Sequence, residues 1–116
     1  MSILKYIYSS KSIRGKIIRI KEGIKDKVRP LCIEKFWIEK YGAYDIDPKN
    51  LVFWICVETD EAKDILASNS ELTKTIRQLF DQYDYPKEAR DSVYIGYESQ
   101  QTVDRESNGD WYVHFK

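Results

Sequence analysis

Apolar residues recur at Ile13, Ile17, Ile20, Ile24, Val28 and Leu31, at intervals of 4, 3, 4, 4 and 3. This is one stripe of a 3.6-residue period, and it predicts an amphipathic helix early in the chain. Lys16, Arg19, Lys21, Lys25, Lys27 and Arg29 take much of the remaining surface, and Ser10 or Ser12 is placed to cap the start. Ile18 and Ile20 alternate with charges, so a strand over residues 16–21 is the rival. The helix is preferred because the stripe persists for five turns. Pro30 breaks the backbone ladder and suits the first turn of a second helix, which would carry Ile33, Phe36, Trp37 and Lys40 and end at Gly42.

Residues 45–50 are dense in turn formers and read as a loop. Residues 51–58 form the clearest strand, apolar on both faces and therefore central in a sheet. Thr59 or Asp60 then caps a short helix to about Ala67, with Asp60, Glu61 and Asp64 where the helix dipole favours anions. Ser70 restarts the helical pattern. Leu72, Ile76, Leu79, Phe80 and Tyr83 make its stripe, and Pro86 ends it. Residues 92–98 form a second strand with Val93, Ile95 and Tyr97 on one face. Residues 110–115 form a third, with Trp111, Val113 and Phe115 alternating with Tyr112 and His114. Asn108-Gly109 is a type I′ hairpin signal that pairs this strand with residues 102–107, which are either a polar edge strand or a helical turn. The expected fold is α+β: a single two-layer domain over residues 1–116, with a small antiparallel sheet of about three to four strands packed by helices.

At 116 residues the chain can bury one core without disulfides or metal. Its longest apolar run, residues 51–57, is far short of the ~20 residues a membrane span needs. The first eight residues lack the features of a signal peptide, so a cytoplasmic location is expected. Cys32 and Cys56 sit in apolar surroundings without CxxC spacing and read as buried, reduced thiols.

No catalytic signature emerges. His114 is the only histidine, which excludes common zinc spacings and suits a structural hydrogen-bonding role. The glycines form neither a P-loop nor a dinucleotide fingerprint. Carboxylates cluster at Asp60/Glu61/Asp64, Asp81/Asp84 and Asp104/Glu106/Asp110; solvated faces and caps explain these more simply than a hydrolase or cation site. Residues 104–110 lack the spacing of a calcium loop. No cofactor or metal is expected, and the chain is read as a non-enzyme.

Charge changes the picture. The formal net charge is zero, yet residues 1–57 carry 12 Lys/Arg against 6 Asp/Glu, and residues 58–116 carry 7 against 13. Opposite fields on separate faces favour association with charged partners. Seven cations lie between Arg14 and Arg29, dense enough for phosphate contacts, so a nucleic-acid-binding module is one reading. The other is a protein-binding face. Asp81, Tyr83, Asp84 and Tyr85 join carboxylates to tyrosines at a helix end, and Glu98, Asp104, Glu106, Asp110 and Trp111 make a second acidic, aromatic stretch. Tyr and Trp supply contact area, while carboxylates speed encounter with a basic partner.

A small chain rich in Ile, Lys and Tyr, carrying these two acidic aromatic segments, resembles the immunity proteins of bacterial toxin–immunity systems. The resemblance implies a cytoplasmic, stoichiometric inhibitor that occludes a toxin domain, often a basic nuclease. It also implies that Asp81, Tyr83, Asp84, Tyr85, Glu98, Asp104, Glu106, Asp110 and Trp111 meet the partner. Many such proteins are acidic overall, whereas this chain is neutral.

Overall fold

The computed structural model describes Ser9 and residues 11–116. Helix α1 spans Ile13–Val28. Ser12 caps it by accepting a hydrogen bond from the Gly15 N–H at 3.0 Å, and Ile17, Ile20, Ile24 and Val28 are buried as the stripe predicts. The other predicted cap, Ser10, and the first eight residues lie outside the described residues. Pro30 does break the helix, but only a 3-10 turn, Arg29–Leu31, follows it. The second helix expected over residues 30–42 is a strand, β1, Phe36–Tyr41.

Strand β2, Val52–Val57, occupies the centre of a three-stranded sheet. It runs antiparallel to β1, with Ile38 opposite Ile55. It runs parallel to β3, Tyr94–Ser99, with Ile55 opposite Tyr97. The sheet is therefore mixed, where an antiparallel one was expected. The physical reason lies in the connection. Parallel neighbours need a crossover of a dozen or more residues, and the chain between β2 and β3 supplies one built from helices α2, Asp60–Ala67, and α3, Ser70–Gln82. Thr59 caps α2 and Asn69 caps α3, each accepting from the N–H three residues on, at 3.1 and 3.0 Å.

The two faces of the sheet differ. On one, Ile38, Phe53, Ile55 and Val57 join Ile17, Ile20, Ile24, Ile76, Leu79 and Phe80 in the main core. Gly23 lets α1 approach α3 closely, since a Cβ there would lie 2.9 Å from Leu79. The opposite face carries Trp37, Trp54, Cys56 and Glu98, fixed there by the register and the two-residue strand period.

The chain's end covers that second face. Residues 102–107, left open between strand and turn, belong to helix α4, Gln100–Ser107. The third strand expected over residues 110–115 is a short helix, α5, Trp111–His114. Asn108 and Gly109 do adopt the left-handed backbone of the turn signal, with φ 55° and 80°, but they terminate α4 instead of joining two strands. No helix among the described residues is long and apolar enough to cross a membrane.

Candidate protein-binding face

The outer sheet face is an aromatic bed. Phe115 stacks on Trp54 with ring centroids 4.5 Å apart, and Trp111 meets Trp37 edge-on at 5.3 Å. The Trp111 indole N–H donates to Gln100 Oε1 at 2.7 Å, which ties α5 to α4. A strand would also place Trp111 and Phe115 on one side, but it would send His114 to the opposite one; the helical turn brings all three to the sheet.

A polar chain anchors the same segment. His114 bridges Ser107 Oγ, 2.9 Å from its Nδ1, and Glu98 Oε2, 2.8 Å from its Nε2. Glu98 also pairs with Lys63 at 3.1 Å and accepts the Ser99 N–H. Burial pushes the Glu98 carboxyl upward, but the hydrogen bonds from His114, Ser99 and Lys63 outweigh it and hold the group below its ordinary value. Hydroxyl, imidazole and carboxylate stand in the order used by hydrolases. The carboxylate also pairs with the Lys63 ammonium, and the ring fastens α5 to β3. A parallel network holds α4 to α2: Asp60 accepts from Thr102 Oγ1 at 2.6 Å and from Arg105 at 2.9 Å, and it also accepts from Ser99 Oγ. Those bonds depress its carboxyl far below the usual range. Both networks hold the roof on the sheet.

Tyrosines emerge around this roof. Tyr112 is 72% exposed, Val113 54%, Tyr94 52% and Tyr41 41%, exposures that leave large apolar area facing water. Tyr41, Tyr112, Phe115 and Lys116 line a shallow cavity of about 180 Å³. The exposed carboxylates of Asp104, Glu106 and Asp110 follow along α4 and the start of α5. Asp104 accepts from Gln100 at 2.8 Å, and Asp110 caps α5 through the Val113 N–H.

The nine sequence candidates thus fall into two groups. Asp104, Glu106 and Asp110 face solvent along α4 and the start of α5, while Glu98 and the half-buried Trp111 lie beneath that segment. Asp81, Tyr83, Asp84 and Tyr85 lie elsewhere, at the end of α3. Asp81 and Asp84 both pair with Arg90 at 3.1 Å, and Asp84 also lies 3.8 Å from Lys16. Tyr83 packs partly against the core, and Tyr85 is fully buried. This second group locks a turn. Sequence reasoning passed over Tyr41 and Tyr94 as surface groups. Alternation could have revealed Tyr94, which lies between the core-packed Val93 and Ile95, but not Tyr41, whose segment reads as a helix.

The basic helix is largely engaged. Besides Lys16, Lys25 meets Glu22 at 3.8 Å and Arg29 meets Asp26 at 2.9 Å, while Arg14 reaches the Tyr44 hydroxyl at 3.4 Å. Burial, then the neighbouring Lys25, lowers the Lys21 ammonium from its ordinary value. Cys32 and Cys56 are free thiols, and burial, reinforced by Glu39 and Glu98, pushes Cys56 up to about 12. Among the described residues, no three His, Cys, Asp or Glu side chains are grouped to hold a metal ion. No protein-family model, curated protein or solved structure matches this chain.

Proposed function

We propose that the chain is a non-enzymatic protein-binding domain of immunity type, which acts in the cytoplasm by occluding a cognate bacterial toxin. The observation that carries this reading is the group of exposed tyrosines on the roofed sheet face, together with the exposed carboxylates of Asp104, Glu106 and Asp110 on the helical segments that form the roof. Aromatic anchors next to carboxylates suit a partner whose substrate-binding surface is cationic: the acids steer and orient it, and the rings supply buried area. The aromatic bed beneath keeps those tyrosines ordered, so little side-chain freedom is lost on docking.

The test is to search directly upstream in the source genome for a toxin-like reading frame and to coexpress its product with this chain. Rescue of growth and a stable complex are expected. Asp104→Lys combined with Glu106→Lys should weaken the complex about tenfold at low salt and less at high salt. Full toxicity despite coexpression overturns the class, and charge reversals without effect overturn the docking face. Nucleic-acid binding through α1 has less support, because Lys16, Lys25 and Arg29 each already meet a carboxylate. A salt-sensitive mobility shift with DNA or RNA, without rescue, favours that alternative.

A further inference from the structure

A second surface lies at the other end of the sheet, away from the tyrosines. The stretch between the Arg29–Leu31 turn and β1 faces α2 across a groove of about 240 Å³, lined by Leu31, Cys32, Ile33, Glu61, Ala62 and Ile65 among others. Ile33 is fully exposed, Ile65 is 55% exposed and Leu31 45%. Three aliphatic side chains therefore converge on one cavity with their surfaces in water, an arrangement that marks a contact site more than an isolated exposed residue does. The volume is below the ~300–1,000 Å³ of small-molecule pockets, so it suits anchoring side chains and not a metabolite.

The groove is built and held open. Glu34 reaches across to the start of α2, where its carboxylate accepts the Glu58 N–H at 2.7 Å, the Thr59 N–H at 2.9 Å and the Thr59 hydroxyl at 2.7 Å. This clamp joins the two walls. The charged residues that line the groove are both carboxylates, Glu61 on α2 and Glu34 at the lip. The one cation of α2, Lys63, turns the other way, into Glu98 and Thr102. The nearby cations in sequence do not line the groove: Arg29 is matched by Asp26, and Lys35 lies over the Trp37 ring.

We propose that this groove docks a cationic segment of a partner protein, seating an aliphatic side chain between Ile33 and Ile65 while Lys or Arg residues meet Glu61 and Glu34. The charge pattern selects this occupant: an acidic or neutral apolar segment gains the same burial but lacks the electrostatic match. The site is separate from the tyrosine face and stands whether or not that face binds a toxin.

The test uses the full chain and two fluorescein-labelled twelve-residue peptides. Each has Leu and Ile anchors at helical spacing, flanked by Lys in one and by Glu in the other. Fluorescence anisotropy should show saturable binding of the Lys peptide that weakens with salt, and none of the Glu peptide. Ile33→Asp should weaken binding at least about tenfold, the value of one buried aliphatic side chain. Glu61→Lys should weaken it in a salt-sensitive way, and Tyr112→Ala should leave it unchanged. Ile33 is fully exposed, so its substitution should leave thermal unfolding unaltered and keep the comparison clean. Amide shifts in an HSQC titration should map to residues 31–34 and 59–66. Equal binding of both peptides, absence of binding, or a shift map centred on Tyr41 and Tyr112 overturns the proposal. So does a concentration-dependent dimer abolished by Ile33→Asp, since the occupant is then a second copy of the chain.

Discussion

Tyr85→Phe removes one oxygen from the centre of the molecule and leaves the packing intact. The ring is fully buried and lies edge-on to Phe80 at 5.5 Å, so phenylalanine fills the same space. Its hydroxyl donates to the Pro48 carbonyl at 2.6 Å and so fastens the turn after α3 to the Pro48–Asn50 turn that precedes β2. Without it, that carbonyl keeps only a long bond from the Leu51 N–H, at 3.4 Å. Leaving a buried acceptor short costs about 1–3 kcal/mol. Because Pro48 is half-buried, the expected loss is about 1.5 kcal/mol, a fall in Tm of about 5 °C or more for a chain of this size. Burial, with Asp47 and Tyr44 acting in the same direction, pushes the Tyr85 hydroxyl up to about 12. An unfolded tyrosine ionises near about pH 10. Above that pH the unfolded chain releases a proton that the folded chain retains. Wild-type stability therefore falls as pH rises between the two values, by up to about 1.4 kcal/mol per pH unit. Water near half-exposed Pro48 screens part of this, leaving about 1 kcal/mol. The variant has no proton to lose at that position. The wild-type advantage should thus be present at pH 8 and mostly gone at pH 11. Tyr41 and Tyr97, whose hydroxyls are also raised by burial, titrate in both proteins and cancel. Urea unfolding followed by circular dichroism at the two pH values measures the gap. An equal gap at both, or none at pH 8, refutes the reasoning.

Two further outcomes follow from named contacts. Gly96→Ala places a Cβ 2.5 Å from the Trp54 ring and 2.7 Å from Tyr94, so it should cost about 1–3 kcal/mol and alter tryptophan fluorescence as the Trp54–Tyr94 contact opens. For Glu34, burial raises the carboxyl, but the hydrogen bonds from Thr59 and Glu58 outweigh it, so its folded value is below the unfolded one. The stability it contributes is present above about pH 4.5 and is lost as pH falls through the folded value, so Glu34→Gln should flatten the acid limb of a Tm-against-pH curve and lower Tm at pH 7 by about 1 kcal/mol equivalent.

Several elements were legible because their signals are local. The Ile13 to Val28 stripe, the apolar run of β2, the Thr59 cap and the Leu72 to Phe80 stripe each act within a few residues, and each element forms where its pattern places it. The acidic character of Asp104, Glu106 and Asp110 was equally plain, since short charged side chains on a helix face stay in water.

Three decisions belonged to tertiary structure. Phe36, Trp37 and Ile38 fit a helix or a strand by composition; β2 decides, because its open edge pairs with them and buries Ile38 against Ile55 while Trp37 goes to the outer face. Trp111 to Phe115 alternate like a strand, yet the bed of Trp37 and Trp54 and the Glu98 carboxylate reward the helical turn that turns Trp111, His114 and Phe115 toward them. Asn108-Gly109 takes the left-handed backbone in either fold, so the dipeptide determines the local bend but not what it connects. The same holds for the acids of the second half. Their number is written in the chain, but whether each meets solvent, Arg90, Lys63 or a partner depends on which cation the fold sets beside it, because close ion pairs form only between groups that tertiary structure brings within about 4 Å.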